Sequence, residues 1–455
     1  MIDHLRSRLP SDFCEIDQLA AVLLRFCREQ IGALRAAYDS DQVCALIGEE
    51  SDAVQAWLER EIEEDWLDDD ELAAFGTMLE RVAARASSLQ VAPDQAAVIA
   101  ARVAAQALDR SHGRRFAGVF RGRGVVDVVA GDPIPICRPP LKEIFARQLS
   151  SNPDRLGQQL HELTWLRLMP PLERGHEVRL SFEYEHVLAD VDANTRLGVA
   201  IPSDVLPDLR FDLSETAEPR FFNVRPKRSA EQRAVILRLL DEADAAGARV
   251  VLLPELCVDE DIVAAIRAWF AKPERAVAIL ICGSMHTIRD GKQRNVSTIL
   301  TAGGGMVEHF KFNPFSLVLP TGDGEVALHR EDIVTTPSLI TVLMCGDWSF
   351  TSLICKDFLE PGVDRALQQL GVRIVLVPAC SPKTSIFEPI AAILAARNQA
   401  LVLVGNLADP GPSEVASVLV ARPTQDLSVE RVLRSEIVTP CLHFVDFGGS
   451  QRLDS

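Results

Sequence analysis

The sequence predicts an α/β domain over residues 175–455, preceded by an all-α domain over residues 1–112 and a connecting segment over residues 113–174. Two patterns carry this reading. Apolar residues recur at helical spacing through the first 110 positions, and a helix, glycine, strand, proline order then appears twice, each time with a continuous aliphatic strand.

From Phe13 to Leu34, apolar side chains fall at Phe13, Ile16, Leu19, Leu23, Leu24, Cys27, Ile31 and Leu34, which predicts one amphipathic helix with Ser11 and Asp12 as candidate caps. Leu72, Phe75, Met78, Leu79 and Val82 repeat the spacing, and Pro93-Asp94 opens an alanine-rich helix to about Leu108. The acidic cluster from Glu61 to Glu71 reads as a solvated face or connection and receives no function. Arg114, Arg115, Arg121 and Arg123 lie among glycines, the composition of a flexible basic linker or of a phosphate-binding loop. Pro133, Pro135, Pro139 and Pro140 mark an extended connection, with short helical patterns to about Leu168.

In the second half, Ser229 and Gln232 have capping-box spacing ahead of a helix over residues 230–246 closed by Gly247. Gly247-Ala-Arg-Val-Val-Leu-Leu-Pro254 is echoed by Gly371-Val-Arg-Ile-Val-Leu-Val-Pro378, so two αβ units read as copies. Such strands belong to sheets covered by helices, where ligands gather beyond the carboxyl ends. Glu255 sits at one of those ends.

The net charge of −18 opposes nucleic acid or an anionic membrane surface as the main partner. No apolar run reaches the roughly 20 residues of a bilayer span, and residues 1–13 lack the continuous apolar stretch of a secretory signal, so a cytoplasmic location is expected. Ten cysteines without a C-x-x-C pair and nine dispersed histidines predict neither a disulfide framework nor a metal centre, and no cofactor is expected.

Three residues carry the chemistry in combination. Cys355 follows Leu353-Ile354 at a strand terminus, where a thiol can serve as nucleophile, although a cysteine in that position is more often an inert core residue. Glu255 follows Leu252-Leu253-Pro254 as an acid where a strand leaves the core. Lys311 ends a hairpin that runs from Arg294 through Gly303-Gly304-Gly305 to Phe310. A carboxylate base, an ammonium group and a thiol are the parts that acyl transfer requires.

With Leu253-Pro254-Glu255-Leu256, Gly283-Ser284, Asn295, Lys311, Ile354-Cys355-Lys356-Asp357, Val377-Pro378, Arg397-Asn398 and Asn406 in this order, the last three-fifths of the chain resembles the nitrilase, or carbon–nitrogen hydrolase, superfamily. The resemblance implies a nitrilase-like αββα sandwich that pairs with a second copy, giving a homodimer or larger homo-oligomer. It implies Cys355 as nucleophile, Glu255 as base, Lys311 with the Lys356 backbone N–H as oxyanion donors, and a second glutamate, Glu331 in preference to Glu325. Cys380 and Ser381 fall where the family's substrate-binding pocket wall lies, and Lys356-Asp357-Phe358-Leu359-Glu360 lacks the usual aromatic and arginine neighbours. His309 reads as an edge-strand residue outside the site.

The expected function is a thiol hydrolase acting on non-peptide carbon–nitrogen bonds of a small amide-like substrate. The alternative is an effector or assembly protein that uses the hydrolase fold as scaffold and captures a protein partner through its N-terminal helices.

Overall fold

The computed structural model describes the chain apart from residues 1, 11–13, 63, 65, 136–162, 164, 170–171, 173–174, 190–194, 204–208, 215–219, 273, 321–324, 336, 346–347, 399, 408–414, 424–428, 434–435, 437 and 447–455. It divides into two compact units, one built mainly on Met1–Gly124 and the other on Leu172–Ser455.

The N-terminal unit is organised around the helix Pro93–Gly122. Its stretch from Ala96 to Ala105 is buried on every face, because alanines let neighbouring helices approach from all sides. The helices Ile2–Arg6, Ile16–Glu29, Ile31–Tyr38, Asp41–Glu61 and Asp69–Ser88 all pack against it. Part of the acidic cluster acts as a cap: Asp68 Oδ1 accepts from Glu71 N at 2.9 Å and Glu71 Oε2 accepts from Asp68 N at 2.8 Å, closing the first turn of Asp69–Ser88.

Several expectations for this region are revised. The helix expected over Phe13–Leu34 breaks at Gln30, and its start is Ile16 behind Glu15, which makes no side-chain cap; Ser11, Asp12 and Phe13 lie outside the described residues. The expected boundary at residue 112 falls inside Pro93–Gly122, so Arg114, Arg115 and Arg121 stand on a helix rather than in a linker. Gly113 does not end that helix, since it is a point of close approach: a Cβ there would lie 2.8 Å from the Trp165 Cβ. Phe116, Ala117 and Phe120 carry the inward-facing period onward, with Ala117 and Phe120 buried. Nor is the unit all-α. Cys14–Glu15 pairs with Trp66–Leu67, and Pro133–Pro135, expected to be extended, pairs with Leu166–Leu168, which was expected to be helical.

The C-terminal unit has an α/β fold built, among the described residues, on three sheets. In the first, Ala248–Leu252 lies parallel to Arg196–Ile201 and Ile279–Ile281, and the sheet continues through the antiparallel strands Lys292–Thr301, Met285–Arg289 and Gly305–Phe310. In the second, Ile374–Ala379 lies parallel to Trp348–Ser352 and Leu401–Asn406. Both sheets contribute to one apolar core. They approach closely at Gly405, where a Cβ would stand 2.9 Å from Val199 and 3.2 Å from Leu252 of the other sheet. The helices Ser229–Ala245 and Glu260–Phe270 pack on the first sheet, and Glu388–Asn398 on the second.

The two αβ copies thus fall one in each sheet. Each helix ends in a left-handed glycine, Gly247 at φ 73° and Gly371 at φ 69°, the conformation that a tight helix-to-strand turn requires. The expected capping box at Ser229 does not form: Arg228 is the N-cap residue, and Gln232 is buried, donating to the Cys257 carbonyl at 2.6 Å. A third sheet of four strands, Ser316–Pro320, Val326–Glu331, Arg220–Pro226 and Leu209–Ser214, carries Glu331 at the end of one strand. Among the described residues, no helix is long and apolar enough to cross a membrane.

Candidate active site

Glu255 lies just beyond the strand Ala248–Leu252, and its backbone N–H reaches the Ala379 carbonyl of the second sheet at 3.3 Å. The chain turns sharply here. Leu256 is left-handed at φ 62°, and Gly283 packs so tightly that a Cβ would lie 2.1 Å from the Pro254 carbonyl oxygen, which no other residue tolerates. Lys311 follows the strand Gly305–Phe310, which the left-handed Gly303 and Gly304 turn back on Lys292–Thr301, and its N–H is held by the Asn295 carbonyl at 2.9 Å. Cys355 opens a 3-10 turn after Trp348–Ser352 in a left-handed conformation, φ 47°. That region is disfavoured for a side chain bearing a Cβ and is found where the surrounding structure over-determines the backbone, often at functional positions. The thiol is buried, at 4 % exposure.

These elements bring three expected residues, Glu255, Lys311 and Glu331, into direct contact. Lys311 Nζ donates to Glu255 Oε1 and to Glu331 Oε2, both at 2.7 Å, with all three side chains no more than 2 % exposed. Cys355 lies within electrostatic reach of Glu255 and Lys311. Glu325 is exposed, whereas Glu331 is at the centre of the cluster.

The two carboxylates differ in how completely they are occupied. Glu331 Oε1 accepts from Asn295 Nδ2 at 2.7 Å and from His286 Nε2 at 2.9 Å, while Oε2 accepts from Lys311 and from Phe315 N at 2.9 Å. Four donors fill a carboxylate, so Glu331 is an anion with no lone pair to spare. Burial pushes its pKa up, but the Lys311 charge and the His286 hydrogen bond outweigh burial and hold it well below the usual carboxylate range. Glu255 Oε1 accepts from Lys311 and from Asn295 Nδ2 at 3.0 Å, whereas Oε2 receives only Cys380 N at 3.0 Å among the described residues. Glu255 is therefore the carboxylate able to take a proton.

Burial raises the Cys355 thiol well above its ordinary value, and the Glu255 charge adds to this; Lys311 and a hydrogen bond from the Cys380 backbone act in the opposite sense. The resting residue is a neutral thiol. Burial lowers the Lys311 pKa, but the Glu255 and Glu331 charges more than reverse that and keep it protonated. An ammonium has three donors, and the carboxylates take two, which leaves one for a developing oxyanion.

The remaining sequence candidates fare differently. Lys356 turns its side chain away to the Pro314 carbonyl at 3.0 Å, so any oxyanion contact falls to its backbone. Cys380 is half-buried and touches Glu255 through its N–H. Ser381 N donates to Asn406 Oδ1 at 2.8 Å and its hydroxyl to the Lys383 carbonyl at 3.3 Å, so its polar groups hold a turn together. Asn398 likewise serves structure, with Nδ2 donating to the carbonyls of Leu367 at 3.3 Å and Val372 at 2.5 Å.

Four contributors were not foreseen in these roles: His286, Asn295, His309 and Asp357. His309, read as an edge residue outside the site, is buried, with Nε2 3.2 Å from Asp357 Oδ2. Asp357 Oδ1 also accepts from Asn313 N at 2.8 Å and Phe312 N at 3.2 Å. The carboxylate two residues after Cys355 thereby grips the backbone immediately after Lys311. Burial raises the Asp357 pKa to about 6, with His309 the main opposing influence.

A testable consequence follows from the sign of this shift. A carboxyl whose pKa is higher in the folded chain contributes stability below about pH 4 that is lost as pH rises through about 6. Asp357→Asn keeps an acceptor for both backbone N–H groups and removes the titration. Between pH 4 and 7, the variant should gain about 2 kcal/mol of stability relative to wild type, measured by urea unfolding. An unchanged difference across that range would contradict the burial account.

No family model matches the chain, and no curated protein does. Solved structures that resemble it include an amidase from Nesterenkonia sp., at 16% identity with a TM-score of 0.40, the match covering 56% of this chain and 91% of that one. A double mutant of the amidase from Nesterenkonia sp. AN1 in complex with acrylamide matches at 16% identity with a TM-score of 0.41, covering 57% of this chain and 92% of that one.

Proposed function

We propose that residues 175–455 form a nitrilase-like αββα hydrolase domain that cleaves non-peptide carbon–nitrogen bonds of small amide-like substrates through a thioester on Cys355. The observation that carries this reading is Lys311 bridging two buried glutamates beside a buried cysteine held at positive φ.

As the sulfur attacks the amide carbon, Glu255 takes the thiol proton, so the net charge of the buried cluster is unchanged while a C–S bond forms. The carbonyl oxygen gains the negative charge. The third Lys311 N–H and the Lys356 backbone N–H stabilise it more than the ground state, which lowers the barrier. Glu255 then gives its proton to the departing nitrogen as the C–N bond breaks. Water enters, Glu255 accepts one of its protons, and the thioester is hydrolysed to a carboxylic acid with return of the thiol. Glu331, saturated with donors, holds Lys311 in place and moves no proton.

In this reading, Cys380 lines the pocket while Ser381 shapes the turn behind it, further copies of the chain complete a homodimer or larger homo-oligomer, and the helical unit binds a protein partner. The first test is ammonia or amine release from a panel of short aliphatic amides, carbamoyl compounds and nitriles. Wild type should turn over at least one class, and Glu255→Gln should lose about 10²- to 10⁴-fold. Equal turnover by wild type and Glu255→Gln would remove Glu255 from the mechanism and favour the scaffold alternative.

A further inference from the structure

We infer that His286 is a positioning residue: a neutral imidazole with its proton on Nε2, which orients Glu331 and through it Lys311. The inference deepens the hydrolase reading and rests on it for its kinetic part.

The tautomer follows from the partners. Val224 N lies 2.7 Å from His286 Nδ1, and a backbone N–H can only donate, so Nδ1 presents its lone pair. The neutral ring then carries its hydrogen on Nε2, which stands 2.9 Å from Glu331 Oε1. The side chain is 2 % exposed and packs near the Phe222 ring, with centroids 6.4 Å apart.

His286 belongs to the strand Met285–Arg289 of the first sheet, and Val224 to Arg220–Pro226 of the four-stranded sheet. The ring therefore links the strand beside Glu331 to the carboxylate itself. Glu331 and Phe222 are also neighbours in strand register, so both ends of the link meet on the same piece of sheet. Without His286, Glu331 Oε1 would retain, among the described residues, only the Asn295 amide, and the carboxylate could rotate away from Lys311. A displacement near 1 Å is enough to cost roughly 100-fold in rate.

Glutamine at this position can supply both an acceptor for Val224 N–H and a donor for Glu331; leucine supplies neither. The test uses the full-length chain labelled with ¹⁵N-histidine, with the His286 resonances assigned by their loss in His286→Gln. The expected spectrum is that of an Nε2–H ring with unprotonated Nδ1, and an Nδ1–H ring would overturn the inference whether or not the chain is a hydrolase.

The second readout is the pH profile of Cys355 alkylation by iodoacetamide. In His286→Leu the acid limb should move to higher pH, because Glu331, having lost a donor, is protonated more easily and then releases Lys311, and the plateau rate should fall 10- to 100-fold. His286→Gln should restore both. A slowing with the limb unmoved, or one that glutamine does not rescue, would reduce His286 to packing. Should wild-type Cys355 prove unactivated, the hydrolase reading fails, and the imidazole spectrum still decides the tautomer.

Discussion

Lys311→Met should be the substitution in the site that costs the most stability, about 3–5 kcal/mol, and should lower amide turnover by roughly 10²- to 10³-fold. The stability loss arises because methionine fills the volume but leaves Glu255 and Glu331 buried together with no cation, both at 2 % exposure or less. Such a pair cannot remain doubly ionised, so one carboxyl binds a proton in the folded variant and its pKa rises above the unfolded value. The sign follows by linkage. The deficit relative to wild type should be smallest below about pH 4, where unfolded carboxyls are also protonated, and should grow as pH rises through the raised folded pKa. Urea unfolding of both proteins between pH 4 and 8 would check this, and a pH-independent deficit would mean that lost packing rather than unpaired charge is responsible.

The second large effect is expected at Cys355. Cys355→Ala should abolish turnover, by roughly 10⁴-fold or more, while leaving thermal unfolding nearly unchanged. Alanine is smaller by one sulfur atom and meets the same backbone constraint at φ 47°, so little of the fold depends on the thiol. Retained activity would shift attention to Cys380, whose N–H contacts the same glutamate.

The residues legible in the sequence are those whose local context is distinctive. Glu255 after an apolar strand, Lys311 after a glycine hairpin and Cys355 before Lys356-Asp357 can each be placed at the end of an element. What periodicity does not reveal is which ends meet. Asn295 was visible as part of a pattern, but its bonds to both Glu255 and Glu331 depend on register within the sheet and on the return of the four-stranded sheet. His286 and His309 carried no spacing signal, because their partners stand 45 and 48 positions away. Glu331 was separable from Glu325 only by its resemblance to a family pattern, and burial now distinguishes them.

In the fold, the duplicated αβ unit was readable because a left-handed glycine is needed where each helix turns into its strand. The end of Pro93–Gly122 was not. A glycine inside the continuing helix is explained by what packs against Gly113, the Trp165 side chain and Asp109 Oδ1, neither of which periodicity reveals. Ser229 failed as a cap for a related reason: Gln232, its expected partner, is drawn into the core by the Cys257 carbonyl.

The central claim, that Glu255 and Lys311 make a buried Cys355 reactive, is tested most directly by intact-mass labelling with iodoacetamide near neutral pH. The exposed Cys44 provides an internal reference for an unassisted thiol. The account predicts one fast adduct on Cys355, formed ahead of Cys44, absent in Cys355→Ala and slowed in Glu255→Gln. Labelling of Cys355 slower than Cys44, and indifferent to Glu255, would show an inert core cysteine and contradict the account.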